Sequence, residues 1–213
     1  MMSLKTGYLV MYNAMSFLLW TYLTAETVSS AASLYSQSRL SALYIFLSPL
    51  LAITQSLAIL EVLHAASGLI RASPLTTALQ IGGKNLVVWT VMLRFPDIMK
   101  TEQGMLGFLG CVMTWGCSEM IRYGFFVVQL TRSEMPRWLK WLRYSAFVIL
   151  YPPGLLSEAW LVYLSFAQAT GLSSAYRGYL LAGLLSYMPA GYFLYTHMLA
   201  QRRRVLKDPS QKR

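Results

Sequence analysis

The sequence predicts an all-α integral membrane protein, a bundle of about six transmembrane helices, on three observations. First, 56% of the 213 residues are hydrophobic and only 12% are charged, with a mean hydropathy of +0.47. A water-soluble domain carries roughly a quarter of its residues as charge to clothe its surface. Second, six apolar stretches come close to the ~20 residues that carry a helix across a bilayer: 8–24, 41–60, 75–95, 105–130, 141–166 and 178–199. Third, the polar and helix-ending residues gather between them, at 29–38, 67–74, 96–104, 131–140 and 168–177. The expected organisation is one polytopic domain, 1–200, followed by a basic tail, 201–213. No Pro/Gly/Ser-rich linker divides the chain, and no internal repeat of the kind that marks many transporters is visible.

Taken in order, the first stretch follows a lone Lys5, and no small-residue cleavage site stands out before 29–32; it reads as a retained anchor rather than a signal peptide. The second ends near Glu61 and His64, where a single histidine reads as a satisfied helix-end residue rather than a ligand. The third contains Gln80, Gly82, Gly83, Lys84 and Asn85 and is expected to be broken or partly re-entrant, a state tolerated only inside protein or around a wet cavity. The fourth holds Glu119, Arg122 and both cysteines. Cys111 and Cys117 are six residues apart, about 240° round a helix, so they cannot pair with each other. No metal-binding spacing is present. A cysteine-phosphatase loop needs His-Cys, five residues and then Arg; here Gly116 precedes Cys117 and Arg122 falls one position short, which excludes it.

The net charge of +10 does not point to nucleic acid, because six of the eighteen basic residues lie between Arg202 and Arg213, just beyond the last apolar stretch. That is the positive-inside pattern. With six spans both termini share one side, which holds twelve basic residues: Lys5, Arg71, Arg132, Arg137, Lys140, Arg143 and the six of the tail. The other side holds four, Arg39, Arg94, Lys100 and Arg177. Both termini are therefore expected in the cytosol.

Charged groups kept inside a membrane are functional suspects, since each opposes insertion by about 2.5–3.5 kcal/mol. Glu119 and Arg122, spaced i,i+3, suit a structural ion pair as well as a direct role. Lys84 suits snorkelling or pairing with a carboxylate. The sharper case is Tyr151-Pro-Pro-Gly-Leu-Leu-Ser-Glu158. Seven residues turn a helix by about 700°, only ~20° short of two turns, so Tyr151 and Glu158 share a face if the segment is helical. Pro152 and Pro153 predict a kink or restart there. A phenol and a carboxylate in a low-dielectric cleft form a credible acid/base pair.

Several motifs together resemble one family: Trp115-x3-Glu119-Met-Ile-Arg122-Tyr123, Trp141-Leu-Arg143-Tyr144 and Tyr151-Pro152-x-Gly154-x3-Glu158. Tyr8-x3-Tyr12-Asn13, Leu60-Glu61-x2-His64-x3-Gly68, Gln80 and Tyr195-x-His197-Met198-Leu199 extend the match along nearly the whole chain. The family is that of the very-long-chain 3-hydroxyacyl-CoA dehydratases, also called protein-tyrosine-phosphatase-like proteins. The resemblance implies a six-span endoplasmic-reticulum enzyme that removes water from (3R)-3-hydroxyacyl-CoA to give trans-2-enoyl-CoA, with no cofactor or metal. The bilayer and other fatty-acid elongation enzymes are the implied partners. It places the catalytic pair on Tyr151 and Glu158. Arg122, Tyr123, Arg143, Tyr144 and Lys84 are the substrate-binding candidates: Arg122, Tyr123 and Tyr144 for the thioester oxygen, Arg143 with Arg132, Arg137 and Lys140 for the CoA phosphates. In one respect the chain departs from the family. After Gln80 the family usually shows a Ser-Ser-Arg-like run, and here Gly82-Gly83-Lys84 keeps the charge but not the guanidinium fork. That departure motivates the alternative, a catalytically weakened or non-enzymatic scaffold of the same fold. A small transporter, motivated by the buried charges, is disfavoured by the missing repeat.

Overall fold

The computed structural model describes residues 3–31 and 37–207; connector residues 32–36 and the tail residues 208–213, with Lys212 and Arg213, lie outside the described residues. In chain order the described helices are α1 (Leu4–Ala31), α2 (Gln37–Leu57), α3 (Ile59–Ala66), α4 (Pro74–Val87), α5 (Pro96–Met99), α6 (Glu102–Thr131), α7 (Arg137–Ser145), α8 (Phe147–Gln168) and α9 (Ser174–Lys207). Their starts follow local chemistry. Ser73 accepts the Thr76 N–H at 3.5 Å, and Pro74 fills a first-turn position that needs no N–H. Thr101 caps α6 by accepting the Gly104 N–H at 3.1 Å.

Helix α6 is the centre of the bundle, packed by α1 on one side and α8 on the other; α9 lies on α8, and α4 lies on α3. Two glycines of α6 let its neighbours come this close. A Cβ on Gly116 would lie 2.0 Å from Thr24 Oγ1 of α1, and one on Gly110 would lie 2.2 Å from Ser157 Oγ of α8. Polarity is inverted relative to a soluble protein. Asn13, Gln55, Glu61, His64, Asn85 and Glu119 are buried, while Ile45, Leu106, Ile149, Leu156, Met188 and Phe193 are exposed. An outside of this kind suits hydrocarbon.

Three stretches are long and apolar enough by composition to cross a membrane among the described residues: Ala42–Ala66, Glu102–Thr131 and Arg137–Gly171. Of the other three predicted spans, the first lies within α1 (28 residues), the sixth within α9 (34 residues), and the third in α4 (14 residues) with the turn that follows it.

Four boundaries differ from the sequence reading. The third span is not broken at Gly82-Gly83: α4 passes through both glycines and joins a π-helical turn, Val88–Met92, closed by the Leu93 N–H on the Val88 carbonyl at 2.9 Å. Residues 74–92 thus rise about 28 Å, close to a bilayer core. Tyr44 and Tyr176 cap that turn by donating to the carbonyls of Met92 and Thr90. The second helical pass continues beyond a local break at Ala58 into α3, so Glu61 and His64 stand inside the bundle rather than at its edge. Part of the 131–140 connector is helical, as α7. The first residues of the predicted tail extend α9 to Lys207, where Arg202 Nε donates to Ser145 Oγ at 2.9 Å and ties α9 to α7.

Candidate active site

Tyr151 and Glu158 stand on one continuous helix, α8, and both meet α9. The restart expected at Pro152-Pro153 occurs earlier, at Ala146. There the Ile149 N–H bonds the Ala146 carbonyl at 3.1 Å in an i→i+3 turn that separates α7 from α8. The prolines occupy the second turn of α8 and leave the carbonyls of Val148 and Ile149 without their helical donors. The Tyr151 ring stacks on Tyr195 with centroids 5.9 Å apart, and its hydroxyl donates to the Gly191 carbonyl at 3.5 Å.

Glu158 is gripped from two other helices. Trp115 of α6 donates its indole N–H to Oε1 at 2.7 Å, and Tyr187 of α9 donates its hydroxyl to Oε2 at 3.4 Å. Tyr187 and Gly191 are one turn apart on α9, so the two members of the predicted pair face the same stretch of that helix.

Next to this carboxylate lies a second polar cluster. Arg122 forms a two-pronged bond to Glu61, NH1 to Oε2 at 2.5 Å and NH2 to Oε1 at 2.7 Å, while its Nε reaches Glu119 Oε2 at 2.5 Å. Lys84 donates to the other oxygen of Glu119 at 2.6 Å, with its Nζ 5.6 Å from the centre of the Trp115 ring. Tyr123 and Tyr12 donate to Glu61 Oε1 at 2.6 and 3.4 Å. His64 Nε2 is hydrogen-bonded to Tyr8 at 2.8 Å. Two carboxylates and two cations thus balance one another across α1, α3, α4 and α6. Glu158 is partnered instead by neutral donors.

The sequence-predicted residues therefore fall into three groups. Tyr151 and Glu158 face α9. Arg122, Tyr123 and Lys84 are drawn together, each donating to Glu61 or Glu119. Arg143 lies over the ring of its neighbour Tyr144, 6.0 Å from its centre, and Tyr144 packs edge-on against Phe125. Sequence reasoning missed Tyr187, the bond from the motif residue Tyr12 to Glu61, and the grip of Trp115 on Glu158. Trp115 was at least visible as a motif residue; Tyr187, one of fourteen tyrosines, carried no signal. Among the described residues, no group of three or more His, Cys, Asp or Glu side chains gathers within reach of one metal ion.

Comparison with known proteins places the chain in a family. Residues 55–208 match the family described as protein tyrosine phosphatase-like protein, PTPLA. The chain belongs to this family. A probable very-long-chain (3R)-3-hydroxyacyl-CoA dehydratase of Schizosaccharomyces pombe is 36% identical over 99% of this chain and 98% of its own length. The very-long-chain (3R)-3-hydroxyacyl-CoA dehydratase PASTICCINO 2B of Oryza sativa is 32% identical over 93% of this chain and 92% of its own. Human very-long-chain (3R)-3-hydroxyacyl-CoA dehydratase 2 is 30% identical over 98% of this chain and 84% of its own. No solved structure matches. Glu61, Lys84, Trp115, Glu119, Arg122, Tyr151, Glu158 and Tyr187 all fall inside the matched residues.

Proposed function

We propose that this chain is a hydro-lyase of fatty-acid elongation that converts (3R)-3-hydroxyacyl-CoA to trans-2-enoyl-CoA and water, with Glu158 as base and Tyr151 as acid. The observation that carries the assignment is the environment of Glu158. It alone of Glu61, Glu119 and Glu158 has neutral hydrogen-bond donors rather than cations as its close partners. A carboxylate locked in an ion pair is a poor proton acceptor, whereas one held by neutral donors has no bound cation to displace before it takes a proton.

The chemistry follows from the substrate. The C2–H bond breaks with its proton passing to Glu158, and the electron pair forms the C2–C3 double bond. The C3–O bond breaks as Tyr151 protonates the departing hydroxyl to water. Charge building on the thioester oxygen calls for a nearby donor, and Tyr144 is the sequence candidate not bound to Glu61. Arg132, Arg137, Lys140 and Arg143 receive the CoA phosphates at the membrane surface, and the acyl chain runs between helices.

The setting belongs to the same proposal. Six spans cross the endoplasmic-reticulum membrane as one domain, 1–200, with both ends and the basic tail 201–213 in the cytosol, and other elongation enzymes are neighbours in that membrane. The twelve-to-four distribution of basic residues supports the orientation. Lys84, at the point where the chain departs from the family pattern, still delivers its charge to Glu119, which supports an intact enzyme over a scaffold. The test is incubation of the purified chain in nanodiscs with 3-hydroxyacyl-CoA of graded chain length. Enoyl product is expected at one or more lengths. No product at any length, together with failure to restore growth to dehydratase-deficient cells, would favour the scaffold.

A further inference from the structure

We infer that Trp115 and Tyr187 form a clamp that designates one oxygen of Glu158, Oε2, as the atom that carries the proton during turnover. The inference rests on the reading of Glu158 as the base and adds two residues to that site. The geometry is specific. Three helices converge on one carboxyl group, α6 bringing the Trp115 N–H to Oε1 at 2.7 Å and α9 bringing the Tyr187 hydroxyl to Oε2 at 3.4 Å. Trp115 is buried, 3% exposed, so its ring has little room to swing away.

The two donors are chemically unequal. An indole N–H can only donate, and Oε1 accepts it best as an unprotonated oxygen, since a carboxyl O–H is the weaker acceptor. A phenol both donates and accepts. When Oε2 takes the C2 proton it becomes an O–H donor, and the Tyr187 oxygen can receive that hydrogen bond by turning its own hydroxyl away. The contact with Tyr187 thus survives in both states with its direction reversed, and the contact with Trp115 survives because nothing changes at Oε1. A proton placed on Oε1 would instead weaken the indole bond. No atom is consumed in the exchange: the proton leaves C2, resides on Oε2 and is released to water, from which Tyr151 regains the proton it gave to the departing hydroxyl, while Tyr187 only reverses its role. Trp115 is a positioning residue; Tyr187 touches the reacting oxygen itself and is a catalytic one.

The clamp also connects the site to the ion-pair cluster. Lys84, fixed by Glu119, stands 5.6 Å from the centre of the same Trp115 ring, so the charged cluster backs the side chain that orients Glu158.

Steady-state kinetics of the full-length protein in nanodiscs, with 3-hydroxyacyl-CoA as substrate, tests the inference. Tyr187→Phe removes one oxygen and Trp115→Phe removes the N–H; a hydrogen bond to a charged group is worth about a ten- to hundred-fold factor in rate. Both variants are expected to lose turnover by that factor with KM unchanged. In a Glu158→Asp background, where the carboxylate is withdrawn from both donors, Tyr187→Phe is expected to cost almost nothing more. Equal losses in the two backgrounds, a rise in KM alone, or unchanged turnover in Tyr187→Phe would overturn the clamp. Tyr187→Phe is nearly isosteric, so the result stands even if Trp115→Phe fails to fold. The underlying reading is tested separately by Glu158→Gln. If that variant is inactive while Tyr187→Phe turns over normally, the clamp fails and the base stands; if Glu158→Gln is active, both fail.

Discussion

Removing Arg122 is the sharpest perturbation of the bundle. Its side chain is 19% exposed and that of Glu61 is 11% exposed, and the guanidinium bonds both oxygens of Glu61 and one of Glu119. In Arg122→Ala, Glu119 keeps Lys84, but Glu61 is left as a buried carboxylate with only the hydroxyls of Tyr123 and Tyr12. Breaking a buried pair by deleting one partner costs about 3–5 kcal/mol, most of it the stranded charge. For a chain of this size each kcal/mol moves the melting temperature by about 2–4 °C, so a fall of roughly 6–20 °C is expected. Adding Glu61→Gln to the same chain removes the stranded charge and should restore a good part of the loss. Thermal unfolding in detergent, followed by intrinsic tryptophan fluorescence, measures both. An Arg122→Ala protein that melts with the wild type, or a double variant that melts lower than the single, would refute the account of the cluster as a balanced structural clasp.

The close packing of α6 gives a second test. Gly116→Ala places a methyl 2.0 Å from Thr24 Oγ1 and should destabilise by about 1–3 kcal/mol, with Thr24→Ala in the same chain recovering most of it in the same melting assay. Lys84 gives a third. Lys84→Arg keeps a cation on Glu119 and should leave turnover near that of the wild type. Lys84→Ala should lower both stability, by about 1–3 kcal/mol, and turnover, through loosening of Trp115. A fully active and stable Lys84→Ala protein would mean that the charge at this position is dispensable.

How much of this was legible in the sequence differs by level. The helical bundle was, because apolar length and connector polarity are local properties of the chain. Co-facing of Tyr151 and Glu158 was, because helical periodicity fixes it once the segment is helical. The continuity of the third pass was not. Gly82 and Gly83 weaken a helix intrinsically, but the Lys84 bond to Glu119 and the Asn85 bond to the Gln55 carbonyl at 3.2 Å hold that stretch against its neighbours. The restart of the fifth pass was misplaced for a similar reason. The prolines mark missing donors, yet the break between α7 and α8 is the single residue Ala146, which no residue type announces. Long-range partnerships were the least legible. Arg122 with Glu119 follows from i,i+3 spacing, but Arg122 with Glu61 spans 61 positions, and Glu158 with Trp115 spans 43. Only the tertiary fold, which sets α3 against α4 and α8 against α6, brings those groups together.

The central claim, that Glu158 takes the substrate's C2 proton with Tyr151 as its acid, is tested most directly by single-turnover dehydration of a (3R)-3-hydroxyacyl-CoA on the purified protein and on Glu158→Gln and Tyr151→Phe. Each variant removes the proton-transfer function with little change in shape, so trans-2-enoyl-CoA should form in the wild type and fall by about a hundredfold or more in both variants while substrate still binds. Enoyl product forming in Glu158→Gln at the wild-type rate would contradict the account.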